Sequence, residues 1–586
     1  MDDVGPPTTR RQLLAGASAG AASALAGCWE RLWSEAETTG PEQISMTIKT
    51  VPADDDELAA TIASQLRENY EAAGIDATHE PIAEAELYRD VLLEGDYDVF
   101  VARHPGLDEA DALYGLLHSR YVSEHGWQNP FQLTDVVVDD ALETQRSATV
   151  DRDDDLEELL EHLLTTTPYT VVAYTDALCG AAEELDVPVP PKRPQDYVRL
   201  LARSSNDSRD RPLEVGTYGE GLTERLNPIA VDRSRLEGLV DLLYDPLARQ
   251  IDGDYVPWLA DDVTWEEGRR LRAEVTLREG LTWHDDKSLD ADDVAFTYEF
   301  LGDTSMGTVD GGVPAPRFRD RQSLVESVDV GDSRTVTVSF PETSREVARR
   351  AFTVPILPEH VWADRSDVVA NRRTEALATD NDDPVGSGLF RVADVTTDVE
   401  IELEPFDDHV LRTTTDRPDV LEGFSQFEGI RFQIAPNPGA IVDALVDGEI
   451  DLTTGELPPT YAESIREADG VTRVSEPTDA FYMIGYNSQH AELGHPHVRR
   501  VCSQLLDREH AATEFFDGFA EPATTPAQLV GFRDDAWDRD DDVDDTEPEL
   551  LEFPGSDGAA DPGQSRALFR AIHYNYEDDV LLESSG

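Results

Sequence analysis

Apolar and polar residues alternate from Ile44 to Val51, and the period then lengthens so that Leu58, Ile62, Leu66 and Tyr70 share one helical face. A strand followed by a helix is predicted, with Asp54 and Asp55 standing where N-caps belong. Asp98 to Ala102 reads as a short buried strand. Leu156, Leu159, Leu160, Leu163 and Leu164 predict a second amphipathic helix, ahead of a strand from Tyr169 to Tyr174. The polar stretch Ser204 to Pro212 has no apolar period and reads as a linker. Beyond it, strands are predicted at Leu271 to Leu277, Thr335 to Phe340, Val399 to Pro405, Ile430 to Ile434 and Phe481 to Asn487. Helices begin at Asp290, with Asp293 as an acidic partner, and at Pro438 and Pro496 as first-turn prolines; a last helix covers Pro562 to Ile572. The pattern is that of an α/β protein.

Thr9 to Cys28 departs from it. Paired Arg10 and Arg11 precede a run of Leu, Ala and Gly that is too short for a bilayer core of ~30 Å and so reads as an export signal. The arginine pair followed by Leu13 and Leu14 resembles a twin-arginine signal. Leu25 to Cys28 resembles a lipobox, which implies lipidation of Cys28 and a tether, 29–43, outside the cell. No other apolar run approaches the ~18 residues that span a membrane.

At 586 residues the chain exceeds the ~250 to 300 at which a single core stops growing, so at least two lobes are expected. The 122 acids against 48 bases give a net charge of -74, which repels phosphate and argues against nucleic acid as a partner. Because the acids are spread through almost every segment, they read as a solvated surface suited to very high salt. With Cys28 in the signal, only Cys179 and Cys502 remain, too few for a disulfide framework; they read as small buried hydrophobes rather than a bridge.

From Val215 to Pro526 several ordered elements belong together. Tyr244 to Leu247 is similar to a "YEPL" element, and Trp258 to Ala260 with Trp265 to "P-x-LA-x-x-W". Leu277 to Val294 is similar to "LRdGvkFhdGkpltaeDV". Pro384 to Gly388, Leu445 to Leu452, and Tyr486 Asn487 with His497 to Arg508 follow in the same order. These motifs resemble solute-binding protein family 5, the extracellular binding proteins of oligopeptide, dipeptide and nickel ABC importers. The resemblance implies a two-lobed, periplasmic-binding-protein-like (class II type) α/β fold with the ligand in an interlobe cleft closed by hinge bending.

The elements expected at the end of that family stand at the front here: the Ile44 strand, the Leu58 helix leaving through Gly74, the strand at Gly95 to Asp98, a "DP" segment at Asp108 in which Glu109 replaces proline, and Pro168 to Tyr174. A circular permutation accounts for them. It implies a signal at 1–28, a tether at 29–43, part of the second lobe at 44–164, a return to the first lobe at 165–203, a linker joining ancestral termini at 204–212, the first lobe at 213–435, and the rest of the second at 436–586.

By resemblance, the ligand-binding candidates are Tyr486 and Asn487 on a cleft wall, Thr217, Tyr218 and Gly219 in the opening loop of the other lobe, and Arg103 and His104 before the Asp108 element. Peptide binders of this family carry an acid before that element for the ligand ammonium; here Arg103, His104 and Pro105 occupy the place, so Arg103 is a candidate for a carboxylate or sugar hydroxyls. Glu492, His495 and His497 lack a strong ligand spacing, Trp283 to Asp285 reads as scaffold, and neither a metal nor a cofactor is expected. Catalytic fingerprints such as G-x-S-x-G, H-E-x-x-H or a P-loop are absent, so no enzymatic activity is expected. The expected role is a lipid-anchored, monomeric binding protein at the outer face of the membrane, delivering a small solute, a peptide first, to permease and ATPase subunits. A secreted hydrolase and a receptor-coupled solute sensor stand as alternatives.

Overall fold

The computed structural model describes residues 42–583, apart from 123–127, 150–151, 204–210, 220, 231–236, 267, 269, 371–372, 416, 423–427 and 534–551. Arg10, Arg11, Cys28, most of the tether and most of the linker lie outside the described residues.

The opening pattern forms β1, Ser45–Thr50, and α1, Glu57–Ala73. Asp56, rather than Asp54 or Asp55, caps the helix, its carboxylate accepting from the Ala59 amide at 3.0 Å. Gly74, at φ 95°, ends it with the left-handed turn that L side chains resist. There follow β2, Asp76–Pro81, β3, Val99–His104, and the helices α2, Ala112–Leu117, α3, Val136–Ser147, and α4, Arg152–Thr166. Then come β4, Tyr169–Ala182, and β5, Leu213–Tyr218, followed by α5, Ala291–Gly302, which carries the capping box of Asp290 and Asp293. The second half adds β6, Phe390–Thr396, β7, Glu400–Pro405, β8, Ile430–Ala435, α6, Pro438–Val446, and β9, Leu452–Thr453. Last are β10, Val471–Tyr486, α7, Pro496–Gln504, β11, Ala520–Pro522, and α8, Pro562–Ala571.

These strands make one eleven-stranded mixed sheet in the order β6-β7-β8-β5-β9-β4-β10-β3-β1-β2, with β11 on β4. A smaller antiparallel sheet of 260–266, 272–277, 327–332 and 335–339 packs with α5 into a core that runs from Ala181 to Leu452. The other lobe has a core on each face of the sheet, as the two-residue period of a strand dictates. Along β10, Tyr482, Ile484 and Tyr486 face α1, whereas Phe481 and Met483 face α2, α3 and α4. Residues from the two ends of the described chain share this lobe: the Ile44 amide donates to the Leu581 carbonyl at 3.0 Å, and Asn69 of α1 donates to the carbonyls of Leu505 and Gly558 at 2.8 and 3.0 Å.

The chain passes between lobes along β4 and β10, both longer than the sequence pattern suggests. Ala181 of β4 belongs to the first core, and Val171 and Tyr174 to the second. The boundary expected at 436 therefore lies later: β9 pairs with β5, and α6 packs on Tyr218 and Leu178 in a small core at the junction. The return expected from 165 likewise begins inside the second lobe and crosses along β4.

Candidate functional site

β3 ends at the junction, where Arg103 reaches from the second lobe toward the first while His104 turns to Phe481 of its own lobe. Arg103 pairs in register with Tyr482, and its Nη1 lies 2.9 Å from Oε1 of Glu456. Glu456 is set beside Leu178 of β4 by an isolated bridge, and its carbonyl accepts from the Tyr218 hydroxyl at 2.9 Å. Two residues singled out from the sequence, Arg103 and Tyr218, are thus brought together through a third that the sequence did not flag. Burial by itself would lower the Arg103 pKa, but Glu456, Tyr482 and Asp56 outweigh it and the pKa is raised, so the guanidinium stays charged.

Around this pair the polar groups are fixed. The Tyr482 hydroxyl donates to both carboxylate oxygens of Asp56 at 2.8 and 3.0 Å, and burial, with Asp56 beside it, holds that phenol protonated. His104 stacks on Phe481 with centroids 4.9 Å apart and accepts from the Gly106 amide at Nδ1. Burial pushes its pKa down to about 4, so it is neutral near pH 7. The arrangement offers a cation, a carboxylate and phenol hydroxyls at the meeting of two lobes, which suits reversible recognition of a polar solute.

Of the remaining candidates, two flank Tyr218 in the chain. Thr217 is buried in β5, and Gly219, at φ 134°, donates its amide to the Ala435 carbonyl at 3.2 Å. Tyr486 is not on a cleft wall: it lies at the far end of β10, opposite Val99, and its parity turns it into the core with Tyr70 and Cys502. Asn487 stands at the same remote end, donating to the carbonyls of Gly95 and Tyr97 at 3.1 and 2.7 Å. It lines an open polar groove of about 440 Å³ with Lys49, Asp98 and His490, far from the junction. Cys179 and Cys502 are free and buried, and among the described residues no cluster of His, Cys, Asp or Glu is arranged to hold a metal. Glu492 accepts the Tyr574 hydroxyl.

The motif residues between these points build scaffold. Trp283 donates to Asp293 at 3.2 Å, and His284 accepts the Gly386 amide at 3.2 Å and contacts the Gly388 carbonyl at 3.1 Å. Gly386 and Gly388 are required there, since a Cβ on either would stand 1.9 or 2.1 Å from a backbone carbonyl of Leu243 or Leu242. The family described as bacterial extracellular solute-binding proteins, family 5 Middle, matches residues 254–584, a stretch that holds several of these motifs. The chain belongs to this family.

The chain is similar to the oligopeptide-binding protein AppA of Bacillus subtilis, to which it is 23% identical over 280 residues, 47% of this chain and 45% of AppA. The chain thus spans about half the length of the curated relatives it matches. The solved structure of AppA in complex with a nonapeptide aligns with a TM-score of 0.46 at 19% identity, over 64% of this chain and 67% of that one. NikZ from Campylobacter jejuni in complex with Ni(L-His) aligns with a TM-score of 0.44 at 14% identity, over 64% and 66%. Among the described residues no helix is long and apolar enough to cross a membrane.

Proposed function

We propose that the protein is the substrate-binding component of an ABC importer, capturing a peptide or similar small polar solute between its lobes and delivering it to a permease and its ATPase. The observation that carries this reading is the pair β4 and β10, two strands common to both lobes, with Arg103, Glu456 and Tyr218 gathered where they cross. Two connecting strands bending together give a hinge, and the polar groups beside them stand where closure would enclose a solute. Membership of family 5 supports binding without turnover. The names of relatives favour a peptide, and the cation at Arg103 favours contact with a solute carboxylate.

The same reading makes the protein monomeric, exported through Arg10 and Arg11 and tethered outside the cell through Cys28. A circular permutation joining ancestral ends at 204–212 is favoured by the seating of β1, β2 and β3 in one sheet with β10, and by α1 packing on α8. Protein purified in molar salt and sprayed under native conditions is expected to carry a stoichiometric small solute that dissociates unchanged. Turnover of added peptides or oligosaccharides would overturn the reading.

A further inference from the structure

The lobes meet a second time, away from β4 and β10. On the second-lobe side stand Asp108, Glu109 and Asp111 at the entry to α2, with Arg146 near the end of α3; Leu107, Leu113 and Leu142 around them belong to that lobe's core. On the first-lobe side stand Arg350, Asp320 and Arg321, set among Phe318, Leu324, Ala351 and Phe352 of the other core. Arg350 is 1% exposed. Its guanidinium reaches Asp108 at 2.8 Å, Asp111 at 3.1 Å and Glu109 at 3.3 Å across the contact, and Asp320 at 3.0 Å on its own side. Arg321 adds a crossing bond to Asp108 at 3.0 Å, and the Ser344 amide donates to the Arg146 carbonyl at 2.9 Å. The approach is close: a Cβ on Gly115 of α2 would lie 2.8 Å from the Cβ of Asp320.

The partners are distributed so that the contact can part. Asp111 also takes a two-pronged bond from Arg146 at 2.7 and 2.8 Å, and Asp320 stays beside Arg350, so those two carboxylates keep a cation when the lobes separate, while Asp108, whose partners both lie across the contact, passes to water. Buried ion pairs of this kind give up hydration nearly equal to what they gain, which suits a reversible contact better than a permanent core. We infer that Arg350 is an interlobe latch, docking on Asp108, Glu109 and Asp111 as the lobes close and leaving them as the lobes open. The latch rests on the reading of the protein as a closing two-lobed binder, but its test needs no solute.

Hydrogen exchange on the full chain without solute, at constant salt, compares wild type with Arg350→Met, Asp108→Asn and Gly115→Ala. The last is a wedge against Asp320 that removes no charge and keeps helical backbone. All three are expected to speed exchange at least tenfold at 112–117 and 319–324 while leaving β1 and the strand 272–277 as in wild type, and to enlarge the radius of gyration. Unchanged exchange in Asp108→Asn and Gly115→Ala would overturn the latch, whatever Arg350→Met does. Exchange rising throughout the first-lobe core in Arg350→Met alone would make Arg350 an internal structural residue. A failure to find any bound solute would sink the importer reading and leave these readouts standing.

Discussion

Arg103 and Glu456 meet at 2.9 Å from opposite sides of the junction, one at the end of β3 and the other beside β4, with the Tyr218 hydroxyl bound to the backbone of Glu456. The pair links the two sides of the junction where β4 and β10 run between the lobes.

Substituting Glu456→Gln keeps the shape and the Tyr218 contact but removes the charge that best compensates Arg103. Breaking a half-buried pair in this way is expected to lower stability by about 2 kcal/mol, read as a lower midpoint in urea. Arg103→Met is expected to cost less stability while weakening solute binding. An unchanged urea midpoint in Glu456→Gln would show that the pair contributes nothing to holding the junction.

Arg499, in the segment that resembles a family motif, acts on the backbone rather than on a ligand. It is 2% exposed, and its Nε donates to the carbonyls of Thr166 and Thr167 at 3.0 Å, with Nη1 on Leu493 at 2.6 Å. The Thr166 and Thr167 carbonyls lie at the C-terminus of α4, where a cation is favoured by the helix dipole. Burial lowers the Arg499 pKa to about 10, so it is still charged at pH 7. Arg499→Lys cannot span carbonyls on two segments, and about 2 to 3 kcal/mol of stability should be lost by urea unfolding.

Much of the fold was legible because each element announces its period: β1, α1 and α4 follow their apolar spacing, and the Asp290 and Asp293 box appears as its sequence suggests. β4 was cut short because it is buried along most of its length, which erases alternation, and β10 because its first half is polar and exposed. The site was less legible. Position along β10 decided against Tyr486: Tyr482 shares its face but stands opposite Arg103, whereas Tyr486 stands opposite Val99, and which end meets the junction could not be read from the sequence. Glu456, Asp56 and the Arg350 network depend on contacts between residues hundreds of positions apart, which no local spacing carries. Glu109, a departure from the family pattern, is explained by its place against Arg350.

Stability should rise with pH between about 4 and 6.5. His104, facing Asp108 and Lys192, and His284, facing Asp245, His409 and Arg391, are each pushed down to about 4 by burial. In that window the unfolded chain binds protons that the native state refuses, so this stability is full above ~6.5 and lost as pH falls toward 4. Glu109 works the other way. Burial pushes it up to about 7 despite Arg350 and Arg152, with Asp111 and Asp108 raising it further, so between ~4.5 and 7 the native state holds an extra proton and stability falls with pH. Of these three groups, two histidines against one carboxyl leave a net rise of at most ~1.4 kcal/mol per pH unit. Urea midpoints at pH 5 and pH 6.5 should differ less in His284→Asn and more in Glu109→Gln; no change in either would refute the assignment.

The charge of -74 makes salt the last expectation. Self-repulsion among exposed carboxylates acts over ~10 Å at 0.1 M salt and only ~3 Å at 1 M, so the thermal midpoint should climb steadily from 0.1 to 2 M KCl. On α4, Glu158 is exposed with Asp154 one turn before it and Glu161 nearly one turn after. Like charges at that spacing repel, and Glu158→Lys turns the clash into an attraction of about 0.5 kcal/mol. The gain should appear at 0.1 M KCl and vanish at 2 M, because screening removes repulsion and attraction alike. Buried pairs such as Arg350 with Asp111, being screened less, should keep their effect on stability across the same range. A Glu158→Lys gain that persists undiminished at 2 M would mean that local packing, rather than screened charge, sets the salt response.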